Sequence, residues 1–206
     1  IHSKNFRSPT LRFEHCPAQK KYVFEKARII NQLLSKKTSP KQSKRGSWGY
    51  RISSNEFWDI YYLLYQRIDD LSHKKVIRPE LLNLIGIEEL AIWWMDDGCL
   101  TWDKRCHSGV LSVCEFSKSE VELIINWIFQ HTGAKGRFNS RFNKQRGKAY
   151  PVIVFNSHEV HRLIEQLKPY ALDGMLYKFD LSRRPSLPRG PKIGKHRSNV
   201  FPDKKK

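Results

Sequence analysis

The residues best placed to do chemistry are Asp96 and Asp97, two adjacent carboxylates followed by Gly98. They close the stretch Ile87–Leu100, which is apolar on almost every side from Leu90 to Met95. Read as a helix, it sets Leu90, Trp93, Trp94 and Asp97 at i, i+3, i+4 and i+7, so an apolar face finishes on a carboxylate. Gly98 is expected to take the left-handed conformation that ends a helix. Two acids at a helix C-terminus oppose the macrodipole, which favours cations there. A divalent metal is therefore the expected neighbour, because hard cations are held by carboxylate oxygens. Asp97 is the candidate ligand, whereas Asp96 points elsewhere and reads as a supporting residue. The plain alternative is a core helix with a polar stop.

A helix hydrophobic all round must be buried between other elements. Upstream, Ile1–Arg7 and Thr10–His15 alternate as two short strands joined by Ser8-Pro9. Gln19–Leu34 reads as an amphipathic helix, Lys36–Lys44 as a basic loop, and Ser47–Ser53 as a strand with Trp48, Tyr50 and Ile52 at period two. Ser54 or Asn55 is expected to cap a helix over Glu56–Tyr65. A connector carrying Lys74 and Lys75 then leads past Pro79 to the central helix.

Downstream the same order returns. Leu100–Trp102 and Gly109–Val113 read as strands, and Ser117-x-x-Glu120 opens a helix that stops before Gly133. Gly136–Asn143 and Tyr150–Phe155 read as strands around the basic turn Lys144–Lys148, and Ser157 is expected to cap a helix that Pro169 stops. Ala18–Asn31 thus answers Ser117–Gln130, Trp48–Leu64 answers Tyr150–Leu167, and Asp70-x4-Lys75 answers Asp173-x4-Lys178. Each step is roughly 100 residues, so the chain reads as an internal repeat. Moved back by one repeat, the central helix has its twin just upstream of Ile1.

The 206 residues carry a formal charge of +18 and a pI near 9.9, which points to a polyanionic partner. Nucleic acid comes before membrane, because no stretch approaches 18 consecutive apolar residues. No secretory or transit segment is read, and Cys16, Cys99, Cys106 and Cys114 lack the Cys-x-x-Cys spacing of zinc sites. They read as reduced thiols of an intracellular protein, cytoplasmic or organellar. Residues 182–206, rich in Pro, Gly and basic residues, read as a flexible tail.

Two known signatures resemble the central stretch. Trp94-Met95-Asp96-Asp97 is similar to the Tyr-Met-Asp-Asp signature of reverse transcriptases, but that one lies on a strand turn and belongs to larger proteins. Leu90–Gly98 resembles the second motif of the LAGLIDADG homing endonucleases: Leu90, Ala91, Asp97 and Gly98 match it letter for letter. Pro169-Tyr170 with Met175-x-Tyr177-Lys178 resembles the close of the second half in two-motif members, and Lys74-Lys75-Val76-Ile77 the matching place in the first. The resemblance implies an α+β fold of two pseudo-symmetric αββαββα halves, over 1–78 and 79–181, whose antiparallel sheets form a saddle. The first helix of the N-terminal half is absent from this sequence. It further implies double-strand cleavage of DNA at a long site, promoting intron or intein mobility. The cofactor would be magnesium, with manganese as the alternative, held at Asp97 and Gly98. Lys75 and Lys178 would join Asp97 as catalytic residues. The intein form is disfavoured because neither end resembles a splicing block. With the first helix on the same chain the protein would be a monomer.

Recognition is expected from the strands. Arg137, Asn139, Arg141 and Asn143 alternate with Phe138, Ser140 and Phe142, giving one polar face and one that can bury. In a major groove Arg reads guanine and Asn reads adenine. Arg12, Arg51, Lys104, Lys148, Trp48 and Trp102 are expected to extend that surface, with Lys44, Arg45 and Lys144 contacting phosphates. Two other classes remain open: an RNA maturase that assists intron splicing, and a DNA-binding protein without cleavage.

Overall fold

The computed structural model describes residues 8–69, 72–103, 106–143 and 147–182. The expected strand Ile1–Arg7, Asp70 of the repeat, Lys104, Lys144 and all of the basic tail beyond Ser182 lie outside them.

The chain runs β1 (Thr10–His15), α1 (Lys20–Leu33), β2 (Lys41–Gln42), β3 (Trp48–Ser53), α2 (Trp58–Leu64), β4 (Tyr65–Arg67), β5 (His73–Lys75) and α3 (Pro79–Leu82). It continues as α4 (Ile87–Asp97), β6 (Gly98–Asp103), β7 (Cys106–Ser112), α5 (Lys118–Thr132), β8 (Arg137–Asn143), β9 (Lys148–Phe155) and α6 (Ser157–Leu167). Two 3-10 segments follow, Lys168–Tyr170 and Asp173–Phe179. From α4 onward this is αββαββα, with its sheet ordered β6-β7-β9-β8 and antiparallel throughout. The first sheet is ordered β1-β3-β2, the same neighbour relation as β7-β9-β8. The repeat is therefore a repeat of topology.

Local chemistry fixes the ends of the elements. Ser117 Oγ accepts the Glu120 amide while Glu120 Oε2 accepts the Ser117 amide at 2.7 Å, so both orphan donors at the start of α5 are met. Gly133, at φ +67°, closes that helix in the left-handed region. The cap of α6 is one residue earlier than expected: Asn156 Oδ1, not Ser157, accepts the Glu159 amide at 3.0 Å. Neither Ser54 nor Asn55 caps α2, which is entered through a 3-10 turn over Asn55–Phe57. The expected connector around Lys74 and Lys75 is a hairpin, β4 against β5, and the expected loop before β3 contains the short strand β2.

Gly98 departs from expectation in an informative way. Its φ of −79° and ψ of 150° are extended, so α4 passes directly into β6. Glycine is required there for space: a Cβ would lie 2.4 Å from the Trp94 ring and 2.5 Å from the Trp94 carbonyl oxygen.

The main core joins Leu90, Ala91, Trp94 and Met95 of α4 to Leu111, Ile153 and Phe155 of the second sheet, and to Val160, Leu163, Ile164 and Leu167 of α6. Each valine, leucine, isoleucine, phenylalanine or methionine among them contributes about 1.5–3 kcal/mol on leaving water. The first half has a much smaller core of its own, Val23, Ala27, Tyr50 and Ile52. Tyr22 of α1 sits instead in the main core, tying the two halves together.

Candidate active site and nucleic-acid interface

The C-terminal turn of α4 brings the acids to the seam between the halves. The Asp96 carboxylate accepts from Tyr22 Oη at 2.8 Å and from Lys26 Nζ at 2.8 and 3.0 Å, with His15 Nε2 at 3.5 Å. Lys26 is buried, and its ammonium lies 4.5 Å from the centre of the Phe13 ring and 5.0 Å from that of Tyr22. Burial, then the charge of Asp96, pushes the Tyr22 hydroxyl far above its ordinary range. Burial holds His15 below its ordinary pKa despite Asp96. The expected supporting role of Asp96 thus has partners: β1 and α1 supply them all.

Asp97 is in the opposite position. Its carboxylate makes no hydrogen bond or ion pair among the described residues, and burial, then Asp96, raises its pKa. Lys178, Lys75 and Lys26 pull in the other direction, so the two lysines expected from the repeat converge on this acid. Lys178 Nζ donates to the Asp96 carbonyl oxygen at 3.2 Å, and burial lowers its pKa. Lys75 lies across a cavity of about 520 Å³ that it shares with Asp97, Ile60, Leu64, Trp93 and Glu115. Its Nζ is 3.8 Å from Glu115 Oε2. An accessible carboxylate raised in pKa and lacking a partner is suited to a cation. Asp97 fits one ligand position; among the described residues no three acidic, histidine or cysteine side chains converge as a complete cation site.

The sheets carry the second part of the site. Phe138 pairs with Ile153, a core residue, so Phe138, Ser140 and Phe142 share the helix-covered face. Arg137, Asn139 and Arg141 take the opposite, open face beside Tyr150 and Lys148. The alternation expected of β8 holds, but its second face is not fully buried: Phe142 is 65% exposed. The strand is outermost in its sheet. In the first sheet Arg12 stands opposite Arg51 on the open face. Arg12 Nη2 binds Glu14 Oε2 at 3.0 Å, and Ser47 Oγ donates to the same carboxylate, which lowers its pKa. Lys44 and Arg45 are exposed in the turn between β2 and β3.

Trp48 and Trp102 are not on the open faces, contrary to expectation. Trp48 alternates in phase with buried Tyr50 and Ile52, meets Phe24 of α1 at 5.2 Å and carries Lys20 Nζ 4.5 Å above its ring. Trp102 pairs with buried His107, on the side where Gly109 approaches Val160 of α6. Sequence reasoning missed Lys26, Tyr22 and His15 as partners of Asp96. One signal for Lys26 was available: it falls at i+4 from Tyr22, among the buried positions Tyr22, Val23 and Ala27.

A sheet whose open face is basic, beside a lone carboxylate flanked by lysines, defines a class of protein that handles nucleic acid. The model of the LAGLIDADG DNA endonuclease family matches residues 2–163, and the chain belongs to that family. It is 34% identical over 112 residues to "Probable intron-encoded endonuclease 1" of Wickerhamomyces canadensis, covering 52% of this chain and 46% of that protein. The chain thus spans about half the length of this relative. It is 27% identical over 131 residues to "Probable intron-encoded DNA endonuclease 3" of Mycosarcoma maydis, covering 64% of this chain and 90% of the relative. Its fold is similar to that of "The homing endonuclease I-WcaI bound to its DNA recognition sequence". The TM-score is 0.61 at 23% identity, over 88% of this chain and 79% of the other. Among the described residues no helix is long and apolar enough to cross a membrane.

Proposed function

We propose that this chain acts as a site-specific, intron-encoded homing endonuclease, working inside the cell and cutting both strands of duplex DNA at a long recognition site. The observation that carries this reading is the placement of Lys75, across a shared cavity, and Lys178, at the Asp96 carbonyl oxygen, around an unpartnered Asp97 in a chain whose two sheets have polar open faces. Asp97 would hold a magnesium ion, with the Gly98 backbone beside it. Bound there, such an ion supplies an activated water and stabilises the leaving oxygen. Lys75 and Lys178 neutralise charge that develops on the phosphate. Arg12, Arg51, Arg137, Asn139, Arg141, Asn143 and Lys148 form the surface that reads base edges, while Lys44 and Arg45 contact phosphates. Lys104 and Lys144 belong to the same expectation on sequence grounds.

The halves are taken as residues 1–78 and 79–181. The cavity between α2 and α4 has the place that a twin of α4 would fill, with its own terminal acid brought to Asp97. That helix, from the same chain or from a partner, supplies the second carboxylate the cation needs.

The test is binding and cleavage of duplex DNA by the full-length protein. Six to ten phosphate contacts should cost roughly 10³–10⁵ in affinity between 50 and 200 mM salt. Cleavage should require magnesium or manganese. A flat salt response, or a preference for intron RNA over duplex DNA, would replace the nuclease reading with the maturase.

A further inference from the structure

Asp96 and Asp97 are adjacent in sequence and opposite in circumstance. Asp96 is met by Tyr22, Lys26 and His15, whereas Asp97 has no hydrogen-bonded or ion-paired partner among the described residues. The peptide between them is gripped from both sides: the Asp96 side chain by α1, and its carbonyl oxygen by Lys178 Nζ at 3.2 Å. The hold on the side chain is built in. The Lys26 side chain is 10% exposed, and the rings of Phe13 and Tyr22 box its ammonium. The enclosed ammonium is little screened by salt.

The clasp is also single. In the repeat, where Ala18 answers Ser117, Lys26 answers Ile125, so no counterpart stands in α5. It is a feature of this seam and not of the repeated unit. Without it Asp96, one peptide away, would be free to turn towards Lys178 or towards a cation at Asp97.

We propose that Lys26, with the Tyr22 hydroxyl, positions Asp97. By holding the Asp96 carboxylate away, the pair fixes the last turn of α4, so that Asp97 alone faces the cation. Lys26 and Tyr22 are positioning residues: they touch neither substrate nor metal. The proposal rests on the reading of Asp97 as a metal ligand.

The experiment compares full-length wild type with Lys26→Met, Lys26→Arg, Tyr22→Phe and Asp97→Asn. Free Mn²⁺ is followed by electron paramagnetic resonance over the protein–DNA complex. The magnesium concentration for half-maximal cleavage, metal-free duplex affinity and thermal melting are measured beside it. Lys26→Met should weaken Mn²⁺ binding roughly tenfold and raise the magnesium requirement by a similar factor, the range seen when an outer partner of a metal ligand is lost. Lys26→Arg should stay near wild type, and Tyr22→Phe should fall between. Metal-free duplex affinity should be unchanged in all three. Wild-type Mn²⁺ binding by Lys26→Met would overturn the proposal, as would metal-free DNA binding that falls in step with cleavage. Should Lys26→Met not fold, Tyr22→Phe decides, and Mn²⁺ binding equal to wild type overturns it. Full cleavage by Asp97→Asn would sink the metal reading itself. An inactive Asp97→Asn beside a wild-type-like Lys26→Met would sink only the clasp.

Discussion

With Leu64 set against Leu167, α2 and α6 turn corresponding faces inward, yet Leu163 of α6 is 1% exposed and its match Ile60 of α2 is 54% exposed. Both helices follow the last strand of their sheet and carry a glutamate in the entry turn, Glu56 and Glu159. The difference lies in what covers them. α4 packs over α6 and buries Leu90, Ala91, Trp94 and Met95 there. Over α2 lies the cavity lined by Ile60, Leu64, Ile77, Leu81 and Trp93. A sheet with its own two helices buries little on the first side, as the four-residue core of that half shows. The long apolar helix completes a half, and the acid at its tip comes with it.

The largest effect expected from this comparison is at that tip. If Asp97 holds the proposed cation, Asp97→Asn in the full-length protein should abolish cleavage while leaving duplex affinity largely intact, because the change removes that ligand and no proposed DNA contact. Gel assays of cleavage and binding on the same preparation check both parts. Equal cleavage by the variant and wild type would mean that the second half does not supply the acid.

Packing comes next. Leu163→Ala should cost about 2–5 kcal/mol in urea unfolding, the usual range for a buried leucine. Ile60→Ala at the matching place should stay within about 0.5 kcal/mol in a protein of residues 1–206, since that face is open. In a longer protein that carries a twin of α4, the Ile60→Ala cost should climb towards that of Leu163→Ala. An Ile60→Ala that costs the same with and without the added helix would show that the helix does not lie over α2.

The open faces allow a third comparison. Arg141→Ala on β8 should relax specificity at one base pair by about 1–3 kcal/mol, whereas Lys44→Ala in the turn of the first sheet should weaken all sequences alike. Competition binding against single-base variants of the site separates the two patterns. Uniform loss from Arg141→Ala would remove its base-reading role.

Much of this architecture is legible in local pattern. Ser117-x-x-Glu120 and Gly133 bound α5 because capping is decided within one turn. The alternation of Arg137–Asn143 sorts the faces of β8 because side chains in a strand have period two. The same rule, applied to Trp48, Tyr50 and Ile52, assigns Trp48 to the buried side; reading it as a DNA contact let residue type override phase. Other features are not local. The carboxylate of Asp96 is claimed by residues 70 and 74 positions earlier, and nothing in the neighbouring sequence marks that choice. The strands Tyr65–Arg67 and His73–Lys75 are short and polar, so they carry no alternation to read. Gly98 shows why a residue type can be anticipated for the wrong reason. Glycine is needed at the end of α4, but the Trp94 ring requires it and not a left-handed turn.

The smallest expected effect concerns the entry to α6, where two good capping residues stand side by side. Asn156 Oδ1 accepts the Glu159 amide, and Ser157 is the first residue of the helix proper. Loss of a capping acceptor costs about 0.5–2 kcal/mol, so Asn156→Ala should fall in that range. Ser157→Ala should be neutral within about 0.5 kcal/mol, since it removes no cap and alanine is the better helix former. In the first half neither Ser54 nor Asn55 caps α2, so the matching Asn55→Ala should cost less than Asn156→Ala. Urea unfolding of the three single variants measures the order directly. If Ser157→Ala were the costlier change, the cap would sit one residue later, and α6 would begin where residue type alone had suggested.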